Sequence, residues 1–352
     1  MKINGARVSI KYFIGLLMLG VFAAGFALSV TSCKGPDKSE DSLEVDETTG
    51  IESIDKLAKV ILAGTDDAEV YFDRSVAYAE VEAYDNAIVD MYDAMKLDSL
   101  QPRYYVHLTD VFMSYYRSKQ ALQTLRLATE RFPQNLDILL KYAELSLTLM
   151  QNQQAVQTLN KILEQDNQNA QAYFLMGLLM QSEGDFKRAK AAFKKVVEID
   201  PEVVDAYLLL GELYEEDDPA LAEQYLKNAM TVAPDEINSL HSMAFFQQNH
   251  DNVPGALELY RQINVLQPSY SPAFLNAGIL YIEIGELEAA LEQFEILVGL
   301  EPGNHLGYFY RGLTYKLMGK KEQAITDFEN ALRFKEDYKK ARLELLDLQN
   351  KE

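Results

Sequence analysis

Cysteine is nearly missing from this sequence, with a single residue, Cys33, in 352. One thiol forms no intrachain disulfide, and no CxxC pair is present to hold zinc. Basic charge is scarce as well: 33 lysines and arginines face 54 aspartates and glutamates, for a formal net charge of −21. A surface so short of cations does not neutralise phosphates, which excludes nucleic acid as a ligand. Histidines number four, His107, His241, His250 and His305, with no HExxH spacing. There is no glycine-rich phosphate loop, no GxSxG and no Cys-His nucleophile. The acidic run Glu215, Glu216, Asp217 and Asp218 lacks the alternating ligands of a calcium loop and reads as a solvated turn. These absences point away from catalysis; no enzyme activity, metal or cofactor is expected.

What is present is apolar substance: 48% hydrophobic and 11% aromatic residues, ample for a sizeable core. Part of it lies at the N-terminus, where Lys2, Arg7 and Lys11 precede an apolar run from Tyr12 to Val30 that ends in Val30-Thr31-Ser32-Cys33. This segment resembles the signal peptide and lipobox of a bacterial lipoprotein. The resemblance implies a signal peptide over residues 1–32, lipidation of Cys33 by acyl chains such as palmitate, and outer-membrane localisation, since Lys34 replaces the aspartate of an inner-membrane retention signal. Two or three acyl chains anchor stably, at about 0.8 kcal/mol per buried methylene. The rival is an uncleaved transmembrane helix in the inner membrane, because the run is long enough to span a bilayer. Residues 33–50 are acidic and poor in apolar residues, which predicts a disordered tether spanning roughly 20 Å. Contact with the membrane is expected through the N-terminal lipid only, with the body periplasmic or surface-facing.

From residue 68 to 338 the chain repeats itself. Ala87, Ala121, Ala155, Ala189, Ala222, Ala256, Ala290 and Ala324 are separated by 34 residues, save one interval of 33. Twelve residues earlier stands a second small residue, Ser75, Thr109, Ala143, Gly177, Gly211 (one residue nearer), Ala244, Gly278 or Gly312. Four after the alanine comes a bulky one, Met91, Leu125, Leu159, Phe193, Leu226, Tyr260, Phe294 or Phe328. Prolines follow at Pro133, Pro201, Pro234, Pro268 and Pro302. This pattern resembles the tetratricopeptide repeat over eight units, and it implies an all-α fold, a superhelical solenoid built as a right-handed stack of helix-turn-helix hairpins.

The residue types have a physical basis. Tyr173, Met176, Gly177 and Met180 put an apolar stripe on a first helix, and Ala189, Phe193 and Val196 face it from a second. Small residues let the backbones approach where the helices cross. Prolines separate the hairpins, while Pro102, Pro272 and Asp218-Pro219 open helices. The deletion in unit five is therefore expected to shorten a turn. A hairpin cannot bury its core alone, so the ends need caps: a lone helix within residues 51–67, and a polar-backed one over 339–352. Arg74 and Arg311, where inner units carry apolar residues, suggest looser packing near those ends.

The resemblance places function on a concave face lined by the first helices, at repeat positions 2, 5, 9, 12 and 13. Positions 5 and 9 are Phe72 and Val76, Val106 and Asp110, Leu140 and Glu144, Phe174 and Leu178, Leu208 and Glu212, His241 and Phe245, Leu275 and Ile279, Phe309 and Leu313. They describe an apolar groove with an acidic band, suited to a protein or peptide partner with apolar anchors and basic flanks. The alternative is that many of these side chains pack between adjacent first helices. A clamp for a terminal carboxylate is not expected; its only loose candidates, Arg103, His107 and Lys141, read as solvated. The function expected is a membrane-tethered scaffold for envelope assembly, secretion or cell-wall complexes, with homo-oligomerisation open. The alternative is a subunit or regulator of an envelope enzyme.

Overall fold

The computed structural model describes residues 49–350; the leader, Cys33 and nearly all of the acidic tether lie outside them. The described residues form eighteen α-helices and no strand. They fall into two units, one covering residues 49–195 and the other 196–350. The first holds α1 (Glu52–Leu62) and then hairpins α2 (Ala68–Glu80) with α3 (Tyr84–Leu97), α4 (Pro102–Ser114) with α5 (Ser118–Arg131), and α6 (Leu136–Thr148) with α7 (Asn152–Gln165). The pair α8 (Ala170–Ser182) and α9 (Phe186–Ile199) completes it, the division falling inside α9. The second unit holds α10 (Val204–Tyr214) with α11 (Pro219–Val232), α12 (Ile237–Asn249) with α13 (Val253–Leu266), α14 (Ser271–Ile284) with α15 (Leu287–Leu300), α16 (His305–Leu317) with α17 (Lys321–Phe334), and α18 (Lys339–Gln349).

Helix starts are written in the sequence. Asn135 Oδ1 accepts from the Ile138 amide at 3.0 Å, Asn169 Oδ1 from Ala172 at 2.9 Å and Asp218 Oδ1 from Leu221 at 3.1 Å, each answering an amide that has no partner within its helix. Pro102 and Pro219 open α4 and α11, where their missing N–H costs nothing. Inside the hairpins all eight repeat alanines are fully buried, and the bulky residues four positions on are buried, with only Leu226 at 4% exposure. A Cβ at Gly177 would come within 2.5 Å of the Phe193 ring, and one at Gly278 within 2.6 Å of Phe294. Gly312 likewise faces Phe328 at 3.0 Å. Where the bulky partner is Met91, Leu125, Leu159 or Tyr260 the small residue is Ser75, Thr109, Ala143 or Ala244, so three of the four glycines are matched to phenylalanine rings.

Three sequence expectations need correction. Arg74 and Arg311 do not mark loose packing: each makes two parallel hydrogen bonds to an aspartate of its own hairpin, Asp90 or Asp327, whose side chains are only 3% exposed. The deletion in unit five shortens a helix. α10 has 11 residues where α8 has 13, and the connection to α11 spans residues 215–218 against 183–185 in the preceding hairpin. Elsewhere the turn reverses through one left-handed residue, Glu82, Tyr116, Met150, Gly184, Asp251, Gly285 or Gly319; unit five has none, and the helix yields its last residues to make the bend. Finally, α18 is not uniformly polar on its outer side. Ala341 and Leu348 are buried, yet Leu343 and Leu346, out of phase with that stripe, are exposed. Ala341 and Leu348 join the core cluster of this unit, and Lys316 Nζ adds ion pairs to Glu344 Oε2 at 2.5 Å and Asp347 Oδ2 at 2.7 Å.

Candidate functional site

First helices of neighbouring hairpins lie side by side within each unit, α2 beside α4, α4 beside α6 and α6 beside α8 in the first, α10 beside α12 and α14 beside α16 in the second. Their shared face carries the sixteen candidate positions, and the two units treat them differently. In the first, Phe72, Val76, Val106, Phe174 and Leu178 are half-buried, Asp110 and Glu144 are exposed, and only Leu140 is buried. In the second, Leu208, Glu212 and Leu313 are half-buried, while His241, Phe245, Leu275, Ile279 and Phe309 are closed off from solvent. Leu275, Ile279 and Phe309 join a core cluster with Phe294 and Phe328, and the Phe309 ring stands 5.1 Å from that of Tyr338. These five, and Leu140, are buried within the described structure.

The first unit's face is built around aromatic and charged groups from α2, α4 and α6. The Phe72 ring stacks on Tyr104 at 5.1 Å and meets His107 edge-on at 5.3 Å. Arg103 lies over Phe72, 5.0 Å from its centroid, and pairs with Glu69. Glu69 also accepts from the Tyr104 hydroxyl at 2.5 Å; burial first, and this carboxylate second, push the phenol well above its ordinary range. Lys141 Nζ pairs with Asp110 at 3.1 Å. Arg103 and Lys141 thus pair with acids at the surface of this face, Arg103 exposed, while His107 is partly buried.

Between α4 and α6 this face opens into a cavity of about 530 Å³ lined by Gln101, Pro102, Arg103, Val106, His107, Asp110, Asn135, Asp137 and Ile138. His107 is partly buried there, with Nε2 3.0 Å from Ser75 Oγ. Burial holds its pKa below the usual imidazole value, against the opposing pull of Asp110. Of the cavity's lining, positions 5 and 9 supply Val106 and Asp110. Arg103 and Asp137 occupy position 2 of their repeats, which the repeat register also assigns to the face, so the signal for them was present in the sequence.

A second polar group sits among the closed residues. His241 Nε2 is 3.3 Å from the Asn276 amide, and its ring lies against Tyr260 and Tyr270 with centroids at 5.9 and 5.7 Å. Burial pushes its pKa down to about 4. Among the described residues no group of three or more His, Cys, Asp or Glu is placed to hold a metal ion.

Comparison with known proteins bears on the repeats directly. Family models described as tetratricopeptide repeat match residues 112–179, 170–203 and 307–338. No curated protein sequence matches the chain. Among solved structures, a tetratricopeptide repeat protein from Parabacteroides merdae is similar at 18% identity and a TM-score of 0.51, over 70% of this chain and 98% of that one. A chain of the APC/C hetero-tetramer Cut9-Hcn1 is similar at 14% identity and a TM-score of 0.51, over 84% of this chain and 58% of that one. The MamA protein is 26% identical over 49% of this chain and 96% of its own, with a TM-score of 0.44. The first two likenesses extend the helical-hairpin architecture beyond the matched segments, and residues 112–203 and 307–338 of this chain are tetratricopeptide repeats.

Proposed function

We propose that this protein is a scaffold tethered to the outer membrane through a lipidated Cys33, and that the first-helix face of residues 49–195 holds a segment of another protein of the envelope. The observation that carries the reading is the cavity between α4 and α6, lined in part by the half-buried Val106, with Phe72, Val76, Phe174 and Leu178 half-buried at the corresponding positions of neighbouring first helices. Apolar side chains left half-open beside a pocket offer surface that a partner can remove from water. The exposed Asp110 and Glu144 supply an acidic rim that favours basic flanks.

Photo-crosslinking tests it. With p-benzoylphenylalanine at Val106, Asp110 or Glu144 of the full chain in its native envelope, one discrete protein adduct is expected. Val89 on α3 and Leu127 on α5, both more than half exposed, serve as controls away from this face and should give none. Equal adducts from face and controls would reject the assignment, as would turnover of a substrate by the purified chain alone. Mass spectrometry of the mature N-terminus tests the anchor: a diacylglyceryl Cys33 is expected, and an intact Met1 with an unmodified thiol would remove it.

A further inference from the structure

The cavity between α4 and α6 has a definite chemical character. The Ser75 hydroxyl has one proton, and it goes to the Ala87 carbonyl at 2.8 Å. Toward His107 Nε2, 3.0 Å away, Ser75 Oγ therefore only accepts, so Nε2 carries the ring proton and Nδ1 keeps a lone pair. Among the described residues Nδ1 makes no hydrogen bond, and it is not among the buried polar atoms left without a partner. It is an accessible acceptor on a ring that lines the cavity.

The charges around it do not cancel. Arg103 is taken by Glu69 and Lys141 by Asp110, which leaves the Asp137 carboxylate, on the opposite wall, without a hydrogen-bond or ion-pair partner among the described residues. An entering anion meets Asp110 and Asp137, finds Arg103 already paired, and finds the Ile138 amide occupied by Asn135. Pro102, Val106 and Ile138 complete the lining with apolar surface. A free carboxylate, a neutral acceptor nitrogen and an apolar wall suit a group with an aliphatic stem and a cationic, hydrogen-donating head. The volume of about 530 Å³ lies within the range of small-ligand sites, roughly 300–1,000 Å³, and admits one long side chain.

We propose that this cavity seats an arginine or lysine side chain of the held polypeptide, its methylenes on Val106 and Ile138 and its head between the Asp137 carboxylate and His107 Nδ1. The assignment rests on the reading that the face holds a polypeptide. It narrows the partner to a segment with a basic residue at the point that meets α4 and α6.

The four histidines give a direct readout. Full-length protein in detergent, labelled with nitrogen-15 at histidine, is titrated with Nα-acetyl-arginine methylamide and, separately, with Nα-acetyl-glutamate methylamide. The arginine compound should shift the His107 Nδ1 resonance saturably and leave those of His241, His250 and His305 in place; the glutamate compound should shift none. Asp137 is exposed, so Asp137→Asn should leave the fold intact while weakening the arginine response about tenfold, the loss of one charged hydrogen bond. A silent His107, an equal response to glutamate, or an unchanged affinity in Asp137→Asn overturns the inference even where Val106 and Glu144 crosslink a partner. Loss of every face crosslink would instead overturn polypeptide binding altogether, and this inference with it.

Discussion

Arg74 grips Asp90 through two parallel hydrogen bonds, Nε to Oδ2 and Nη2 to Oδ1, each 2.7 Å. Seven hairpins on, Arg311 and Asp327 make the same pair at 2.7 and 2.8 Å. The hairpins between them carry other residues at these positions, Leu108 with Thr124 and Tyr142 with Thr158 among them. Burial pushes the Asp90 carboxyl above its ordinary range despite Arg74, a sign that desolvation is a large cost for this pair. Breaking one partner is therefore harmful and replacing both is tolerated. Asp90→Ala should destabilise the first hairpin by about 3 kcal/mol. Arg74→Leu with Asp90→Thr should leave it within about 1 kcal/mol of the parent. Hydrogen exchange of α2 and α3 distinguishes the two; equal loss in both variants would mean that the pair itself stabilises the hairpin.

The contact between Gly278 and Phe294 gives a second test. A methyl at Gly278 would overlap the ring, with 2.6 Å to Cε1 and Cζ, and should cost about 1–3 kcal/mol through overpacking. This exceeds the gain of about 1 kcal/mol in helix propensity. Gly299, on α15 with nothing within 4 Å, lacks the clash, so Gly299→Ala should stabilise. Adding Phe294→Leu to Gly278→Ala should recover part of the loss, which thermal unfolding of the three variants would show.

This size matching was half legible in the sequence. The recurrence of a small residue before each alanine and a bulky one after it is a register signal, and register alone places the sixteen helices of the eight hairpins. The pairing of glycine with phenylalanine depends on which atoms meet across a helix crossing, and spacing does not report that. The same limit applies to the face. Positions 5 and 9 recur whether a side chain meets solvent, as Asp110 does, or a neighbouring helix, as Ile279 does, because burial there depends on the side chains of the adjacent first helix. Arg74 misled for a related reason: its partner lies sixteen residues away on the other helix of the hairpin, outside any local pattern.

His241 makes stability depend on pH. Its folded pKa is lowered to about 4, below the unfolded value of about 6.5. Above pH 6.5 the ring is neutral in both states and no penalty arises. As pH falls from 6.5 toward 4 the unfolded chain takes a proton that the folded one refuses, and stability drops by up to about 1.4 kcal/mol per pH unit. The groups recorded against the ring, Asn276, Tyr260 and Tyr270, do not titrate in this window; burial holds Tyr270 up to about 12. His241→Gln should flatten the acid limb of a melting-temperature profile between pH 7.5 and 4. An unchanged slope would assign the limb to other groups.

Met150 occupies a place better suited to glycine. It is 86% exposed, with φ of 56° in the turn between α6 and α7, where Gly184 and Gly285 stand in the corresponding turns at φ of 78° and 84°. The same two backbone bonds close each turn: Met150 N to Leu147 O and Gln151 N to Ser146 O at 2.9 and 2.7 Å, Gly184 N to Gln181 O and Asp185 N to Met180 O at 3.0 and 2.9 Å. Neither bond involves the side chain, so Met150→Gly keeps both. It removes a left-handed strain of roughly 1–2 kcal/mol and gives back part through the greater freedom of glycine in the unfolded chain. A net gain of about 1 kcal/mol should raise the melting temperature by about 2–4 °C, with the reverse change, Gly184→Met, lowering it by a similar amount. If Met150→Gly melts lower than the parent, the methionine side chain contributes packing that its exposure does not suggest, and the strain argument fails at this turn.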